Sequence, residues 1–296
     1  MILLTGCTGF IGKHLLHALI NNFGKSQLLC LTSTPITDCT YLLHHNYQFN
    51  PNYFVENGYD NIEIIIHAGA FTPKSGAEAN NIALSNTNIT NTFNLLNAKF
   101  PALKQVIFLS TLDVYDHAEI ISEITPEKPV SLYGYGKLYG EKMLEQWGAQ
   151  NKIKTQILRI GHVYGPGEEA YQKIIPVTIR KILTQQPIEL WGTGEELRSF
   201  IYINDVVNAI VNAITFNEQV GVINIVGGHA ITVTNLVEKI CSLSSAKVDV
   251  IKIKTEKPGR NLTFDNAKMK KYLLDKETEL AVGLKEEFNY MKNLLL

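Results

Sequence analysis

The chain opens on MILLTGCTGFIGKHLLHALI, an apolar run that breaks at a glycine-spaced turn and restarts at once as a helix pattern. Leucine and β-branched residues in succession, without polar alternation, read as a strand covered on both faces. FIGKHLLHALI brings apolar residues back at three- and four-residue steps, the period of an amphipathic helix. A strand joined to a helix by so short a turn is the first half of a βαβ unit, and such units build parallel sheets with helices on their faces. The rhythm continues. Strands are expected at Ile2–Leu4, Leu28–Leu31, Ile62–His67, Val106–Ser110 and Thr155–Ile160, with stretches between them long enough for crossover helices.

These elements predict an α/β fold: a doubly wound, Rossmann-like parallel sheet with a smaller interleaved C-terminal lobe. No internal repeat or low-complexity tract competes with that reading. After VYGPGEE at residues 163–169 the strand–helix rhythm loosens and prolines and glycines become more frequent. LRSFIYINDVVNAIVNAI, residues 197–214, then reads as a return to the sheet. The expected division is a dinucleotide-binding domain over 1–164, returning near 200–226, and a substrate lobe over 165–199 and 227–296.

With 296 residues, 45% of them hydrophobic, there is material for a sizeable core. A formal net charge of −1 supplies no basic field for nucleic acid or an anionic membrane, so any anionic ligand must be held locally. The longest apolar run, around IEIIIHAGA, is too short to span a bilayer, and MILLTG carries no basic flank or cleavage region. A cytoplasmic protein is expected. Cys7, Cys30, Cys39 and Cys241 show no paired spacing, and the eight histidines form no ligand set with them, so neither metal nor disulfide is expected.

In GCTGFIG, Gly6, Gly9 and Gly12 let the backbone turn tightly, approach a pyrophosphate and pack the helix on its strand, while the helix N-terminus offers N–H groups and a positive dipole end. The spacing is GxxGxxG rather than GxGxxG. A second candidate is SLYGYGKLYGEKML, residues 131–144. Tyr133 and Lys137 stand four apart, on one helix face, and an ammonium beside a phenol eases its deprotonation. Read alone, the same stretch also suits a surface helix whose aromatic residues fill a groove.

With these pieces together, the chain resembles an extended short-chain dehydrogenase/reductase of the NAD-dependent epimerase/dehydratase family, along nearly its whole length. The segments that carry the resemblance are TGCTGFIG (5–12), IIIHAGA (64–70), NTNITNTFNLLNA (86–98), FLSTLDVYD (108–116), YGYGK (133–137), LRIGHVYGPG (158–167) and RSFIYINDV (198–206). The resemblance implies an enzyme in which Tyr133 is the acid/base, Lys137 holds the nicotinamide ribose and favours tyrosinate, and Thr111 hydrogen-bonds the reacting oxygen. Tyr135 and Tyr139 have no lysine at the matching offset, which leaves them packing or rim positions. Implied cofactor contacts are Gly6, Thr8, Gly9, Phe10, Ile11, Gly12, Thr32, Ser33, Ala68, Gly69, Ala70 and Ser110, besides Tyr133 and Lys137. For substrate, the resemblance implies Thr72, His162, Arg198, Lys257 and Arg260. A homodimer is left in view as the assembly.

Departures from the family pattern narrow the activity. Where 4,6-dehydratases carry Thr-Asp-Glu, this chain has Thr111-Leu112-Asp113, so the acid pair needed to eliminate water is broken. His162 stands where many relatives have asparagine, and Lys257 where they have arginine. Arg198 matches the arginine that pairs with a nucleotide sugar's diphosphate, a role suited to its planar fork. At the end of the second strand, LLCLTSTP has Thr32 where NAD-specific relatives place aspartate; neither the repelling carboxylate nor an adjacent arginine is present, though Lys13 could supply charge. The expected cofactor is NADP or NAD, with NADP accepted at least as well. The expected activity is a nucleotide-sugar 4-ketoreductase or 4-epimerase. Reduction of a non-nucleotide ketone, or non-catalytic NAD(P) binding by a regulator on the same fold, are the alternatives.

Overall fold

The computed structural model describes residues 1–255 and 259–295, and it divides into two compact units. The first comprises residues 1–116, 125–160 and 207–224. It runs β1 (Ile2–Thr5), α1 (Phe10–Phe23), β2 (Leu28–Thr32), β3 (Tyr41–Leu43), α2 (Tyr53–Glu56), β4 (Ile64–His67), α3 (Gly76–Ala79), α4 (Ile82–Leu96), β5 (Gln105–Thr111), α5 (Leu132–Asn151) and β6 (Lys154–Ile160). Six of these strands lie in the order β3-β2-β1-β4-β5-β6, each pair parallel.

A seventh strand, Ile223–Ile225, joins the sheet beside β6. The chain crosses β1 outward to β2 and β3, then comes back across it to β4, so the order reverses at β1. In doubly wound sheets that reversal opens a crevice at the carboxyl ends of the strands, where ligands bind.

β1 and β2 are buried along their entire lengths, which is why their apolar runs lack alternation. The core on one face gathers Leu3, Leu29, Ile65, Phe54, Val106, Phe108 and Leu144. α5 presents Tyr133, Gly136, Lys137, Gly140, Glu141 and Leu144 inward, a helical stripe with two charged members. Its start is fixed by Ser131, whose Oγ accepts from the Gly134 amide at 3.1 Å.

The second unit comprises residues 117–124, 161–206 and 225–296. It contains β7 (Val163–Tyr164), α6 (Ile174–Leu183), β8 (Ile188–Trp191), β9 (Leu197–Ser199) and β10 (Ile201–Tyr202). α7 (Ile203–Thr215) begins in this unit and runs into the first, and β11 is the sheet strand Ile223–Ile225. Then come β12 (Ala230–Thr232), α8 (Val233–Cys241), β13 (Val250–Ile253), α9 (Ala267–Tyr272) and α10 (Leu280–Leu295). Its strands form short pairs: β7 with β10, β9 with β12 and β8 with β13. No helix among the described residues is long and apolar enough to cross a membrane.

Candidate active site

The turn after β1 is shaped by two close approaches. Gly6 has φ +75°, a conformation L side chains rarely adopt, and a Cβ there would stand 2.6 Å from the backbone of Gly69. A Cβ at Gly12 would lie 1.9 Å from the Gly6 carbonyl oxygen, so α1 can start this close to its strand only with glycine. Gly9 differs: a Cβ would meet only the Gly6 oxygen, at 3.4 Å, so packing does not demand glycine and the exposed turn keeps room for a ligand. α1 has no side-chain cap and no acidic residue in its first turn, which leaves its leading amides for an anion. A bare concave turn with uncapped amides fits the pyrophosphate of a dinucleotide. Thr8 and Gly9 are exposed, and Phe10 and Ile11 half-buried.

The loop after β4 lies against that turn. Thr5 Oγ1 accepts from the Gly69 amide at 2.9 Å and pairs with His67 Nδ1 at 2.8 Å; His67 Nε2 lies 3.1 Å from Thr92 Oγ1. Burial, with the Lys137 charge adding to it, pushes the imidazole down to about 3, so His67 is a neutral bracket between two hydroxyls. Asn88 on α4 grips Phe71 from both sides, accepting from its amide at 2.7 Å and donating to its carbonyl at 3.0 Å. Ala68, Gly69 and Ala70 are thus held half-buried beside the glycine turn, with Thr72 exposed beyond them. The Phe71 ring meets the Tyr133 ring edge to face, centroids 6.4 Å apart. The sequence reading assigned no role to His67 or Asn88; both lie in segments it quoted, as polar residues among apolar ones.

Tyr133 and Lys137 are both buried on α5. The Lys137 ammonium donates to the Leu109 carbonyl at 2.7 Å and lies 4.8 Å from the centre of the Phe108 ring; burial pulls it down to about 8, against the favourable field of Glu141. Thr111 ends β5, and its Oγ1 accepts from the Asp113 amide at 3.2 Å, capping the turn that follows. The capping role uses the oxygen and leaves the hydroxyl proton to donate. Tyr135 and Tyr139 are 54% and 58% exposed, so neither fills the core.

Ser110 reveals a layer the sequence reading missed. Its hydroxyl donates to Glu141 Oε1, and Glu141 also receives Arg159 through Nε at 2.9 Å and Nη2 at 2.6 Å. Arg159 pairs with Glu127 as well and lies over the Tyr115 ring at 4.5 Å. Glu141 is four residues beyond Lys137, one further step along the same helix face.

At the end of β2, Thr32 is buried, and its hydroxyl donates to the Thr34 carbonyl at 2.9 Å while accepting from the Thr34 amide at 3.3 Å. Its proton is therefore committed to its own loop. Ser33 and Lys13 are exposed.

In the second unit, a cavity of about 560 Å³ is lined by His162, Lys173, Trp191, Glu196, Arg198 and Phe200, among others. Arg198 on β9 donates through Nη1 to the carbonyls of Leu197, at 2.9 Å, and Arg260. Burial lowers its pKa, and the neighbouring Arg260 lowers it further. His162 lies between Phe200 and Phe264, pushed down to about 4 by burial and by Lys173. The imidazole is thus neutral, and Nδ1 is buried without a hydrogen-bond partner. Lys173 pairs with Glu168 at 3.1 Å. Lys257 lies outside the described residues.

A reversal-point crevice, a glycine turn suited to pyrophosphate and a buried Tyr-x-x-x-Lys helix define a dinucleotide-dependent short-chain dehydrogenase/reductase. The chain belongs to the NAD dependent epimerase/dehydratase family, whose pattern it matches over residues 2–226. It is an extended enzyme of that class, and the family works with NAD or NADP.

A putative UDP-glucose 4-epimerase of Methanocaldococcus jannaschii is 27% identical over 313 aligned positions, covering 99% of both chains. A dTDP-D-glucose 4,6-dehydratase of Dictyostelium discoideum is 29% identical over 269 positions, 82% of this chain. There the chain spans only 62% of the relative's length. Among solved structures, a UDP-glucuronic acid 4-epimerase from Bacillus cereus in complex with NAD superposes with a TM-score of 0.80 at 26% identity, covering 100% of this chain and 99% of that one.

Proposed function

We propose that the protein is a nucleotide-sugar 4-epimerase that works with a tightly held NAD or NADP. The observation that carries this reading is the burial of both Tyr133 and Lys137 on α5, in a chain with a relative, aligned over 99% of both chains, that is named a putative UDP-glucose 4-epimerase. Gly6, Gly9 and Gly12 with the leading amides of α1 would hold the pyrophosphate, Lys137 the nicotinamide ribose, and Ala68, Gly69 and Ala70 would line the cofactor. When bound, the cofactor supplies a nicotinamide ring that takes up and returns a hydride.

Tyr133 would receive the proton of the sugar's C4 hydroxyl as that carbon is oxidised to a ketone, and return it on re-reduction. The centre would be inverted if the ketone were re-reduced at C4 from its opposite face. A single phenol oxygen suits both directions because the proton must leave and come back at one oxygen. Thr111, whose oxygen is already engaged by the Asp113 amide, would donate its proton to the reacting oxygen. In the second unit, Arg198 and Lys173 supply cationic groups for a diphosphate, and Trp191 and Phe200 supply aromatic surface for a base. The broken acid pair at Leu112 argues against elimination of water. The partner is a small-molecule nucleotide sugar.

A 4-ketoreductase is the second reading, favoured by Thr32 in place of a ribose-binding carboxylate. Incubation with a panel of UDP- and dTDP-sugars, with and without added NADPH, separates them. An epimerase gives the C4 epimer with no added reductant, whereas a ketoreductase consumes NADPH in step with a 4-keto substrate. Absence of both products across the panel would defeat the proposal.

A further inference from the structure

Glu168 lines the cavity of the second unit while lying almost wholly out of solvent. It opens the short turn Glu168–Ala170 and is 2% exposed. Its Oε1 pairs with the Lys173 ammonium at 3.1 Å, whereas Oε2 is buried with no hydrogen-bond partner among the described residues. A buried carboxylate is costly unless it is paired and hydrogen-bonded, and a carboxyl group escapes that cost by holding a proton. Glu168 thus keeps its charge through its contact with Lys173.

Lys173 is not committed to that contact. Its side chain is 44% exposed, donates also to the Val163 carbonyl at 3.4 Å, and lies over the Tyr171 ring at 5.2 Å. It lines the same cavity as Arg198 and His162. An ammonium has three N–H donors, so with Glu168 and Val163 served one is left for a ligand.

The other groups around Glu168 do not stand in for Lys173. Glu169 accepts from the Tyr290 hydroxyl of α10 at 3.1 Å and adds negative charge. Glu287, one turn before Tyr290 on α10, is buried with both oxygens unpartnered, and burial raises its pKa so that it stays the neutral acid. Arg180 of α6 gives its guanidinium to the Glu169 carbonyl at 3.2 Å. Burial, opposed by Lys173 and reinforced by the Glu169 charge, raises Glu168 from 4.5 to about 7.

We propose that a diphosphate entering this cavity takes Lys173 over from Glu168, and that Glu168 accepts a proton from solvent as it does. The proposal rests on the nucleotide-sugar reading of the cavity. Two effects act in one direction: the ammonium turns its charge to the phosphate, and the phosphate brings negative charge toward a carboxylate with no second partner. A lost cation and a gained anion both favour the protonated carboxyl. Above about pH 7 Glu168 is charged and must be neutralised before the phosphate can have Lys173; below it the acid is already neutral and Lys173 is free. Affinity for the nucleotide sugar therefore falls as pH rises through neutrality. His162, pushed down to about 4, is neutral throughout this window and adds nothing to the slope.

Calorimetry on the intact chain with NAD present tests this, using UDP-glucose and then dTDP-glucose as probes. Neither phosphate of these diesters takes up a proton between about pH 6 and pH 8. Binding heats are measured at about pH 7.5 in PIPES and in Tris, whose ionisation heats differ, and the dependence on that heat counts protons. Epimerisation exchanges no net proton with solvent, so turnover leaves the count intact. A one-unit rise in the Glu168 pKa on binding gives uptake of about half a proton and a dissociation constant about fivefold higher at pH 8 than at pH 6.

Glu168→Gln should bind without proton uptake, with an affinity that stays flat over this range and exceeds the native value at about pH 8. Should that variant not fold, Lys173→Met serves instead; it should bind more weakly and take up no proton, because Glu168 without its cation is protonated beforehand. Heats of the native protein that do not depend on buffer, or uptake that persists in Glu168→Gln, overturn the proposal alone. Protein that binds neither nucleotide sugar would overturn the diphosphate reading of the cavity and the proton linkage together.

Discussion

Lys137 on α5 donates its ammonium to the Leu109 carbonyl of β5 at 2.7 Å, fixing a buried cation at the carboxyl-terminal part of a sheet strand. Burial lowers its pKa from the ordinary 10.5 to about 8, so in the folded protein the charge disappears as pH rises through that value. Between about 8 and 10.5 the unfolded chain holds the extra proton, so this group makes stability increase with pH in that window; below about 8 the burial cost stands in full. Dinucleotide binding should move the opposite way. Affinity of the apo-protein is expected to fall as pH rises past about 8, where the ammonium proposed to hold the ribose is lost. Titrations from pH 6 to 10 should show this decline in the native protein and a flat, weaker profile in Lys137→Met.

Tyr133→Phe removes one oxygen and leaves the ring that packs against Phe71. Positioned proton transfer contributes roughly a hundredfold to ten-thousandfold in rate, so turnover should drop by about that factor while dinucleotide affinity stays within about twofold. Steady-state rates with a calorimetric Kd for the cofactor check both halves. A variant with native turnover would remove Tyr133 from the chemistry.

The Glu141–Arg159 pair is a stability element tied to the site. Both side chains are essentially inaccessible, and Glu141 also receives Ser110. Glu141→Leu would leave a buried guanidinium with only part of its partner charge, and such a break costs about 3–5 kcal/mol. Replacing both, with Glu141→Leu and Arg159→Met, should cost less than the single change because no unpaired charge remains. Urea denaturation of the two variants provides the comparison. A double variant less stable than the single would show that the pair itself, and not the avoided orphan charge, stabilises the unit.

Arg198→Ala should raise the nucleotide-sugar KM about tenfold to a hundredfold, the range for losing hydrogen bonds to a charged group, with little effect on cofactor Kd. Because Arg198 also ties down the carbonyls of Leu197 and Arg260, Arg198→Lys is the companion variant. It keeps the charge and loses the fork, so an intermediate KM is expected. Equal loss of affinity for both ligands would move Arg198 out of the substrate site.

Much of the architecture was written in runs such as LLCL and IIIH, because strands buried on both faces need apolar residues at every position. β3, Tyr41–Leu43, was missed: three residues between polar loops carry no period. The spacing of Tyr133 and Lys137 put them on one helix face, and α5 does bury both. Glu141 and Arg159 were not legible, since periodicity treats a charge as a solvent-facing position until its partner, 18 residues away, is known to lie opposite. Thr32 was placed correctly at the strand end, but its hydroxyl's turn toward Thr34 is a local backbone choice that sequence does not announce.

That turn bears on which dinucleotide is used. A carboxylate at the end of β2 would repel the extra phosphate of NADP, and two unit charges about 4 Å apart at an effective dielectric near 20 interact by roughly 4 kcal/mol. Thr32 carries no charge, so this barrier is absent. Its proton is already given to the Thr34 carbonyl, however, so it adds little attraction for a phosphate. Exposed Ser33 and Lys13 are the remaining local groups that could favour NADP, and exposed groups contribute weakly. NADP should therefore bind at least as well as NAD, but by no more than about tenfold, since one screened charge and one hydroxyl contribute little over 1 kcal/mol together. Thr32→Asp should restore the missing repulsion and shift the ratio toward NAD by about a hundredfold or more, the order that several kcal/mol of charge repulsion allows. Competitive titration of apo-protein and variant with both dinucleotides measures the two ratios. A native preference for NAD of about a hundredfold, despite the uncharged Thr32, would place the discriminating group elsewhere than the end of β2.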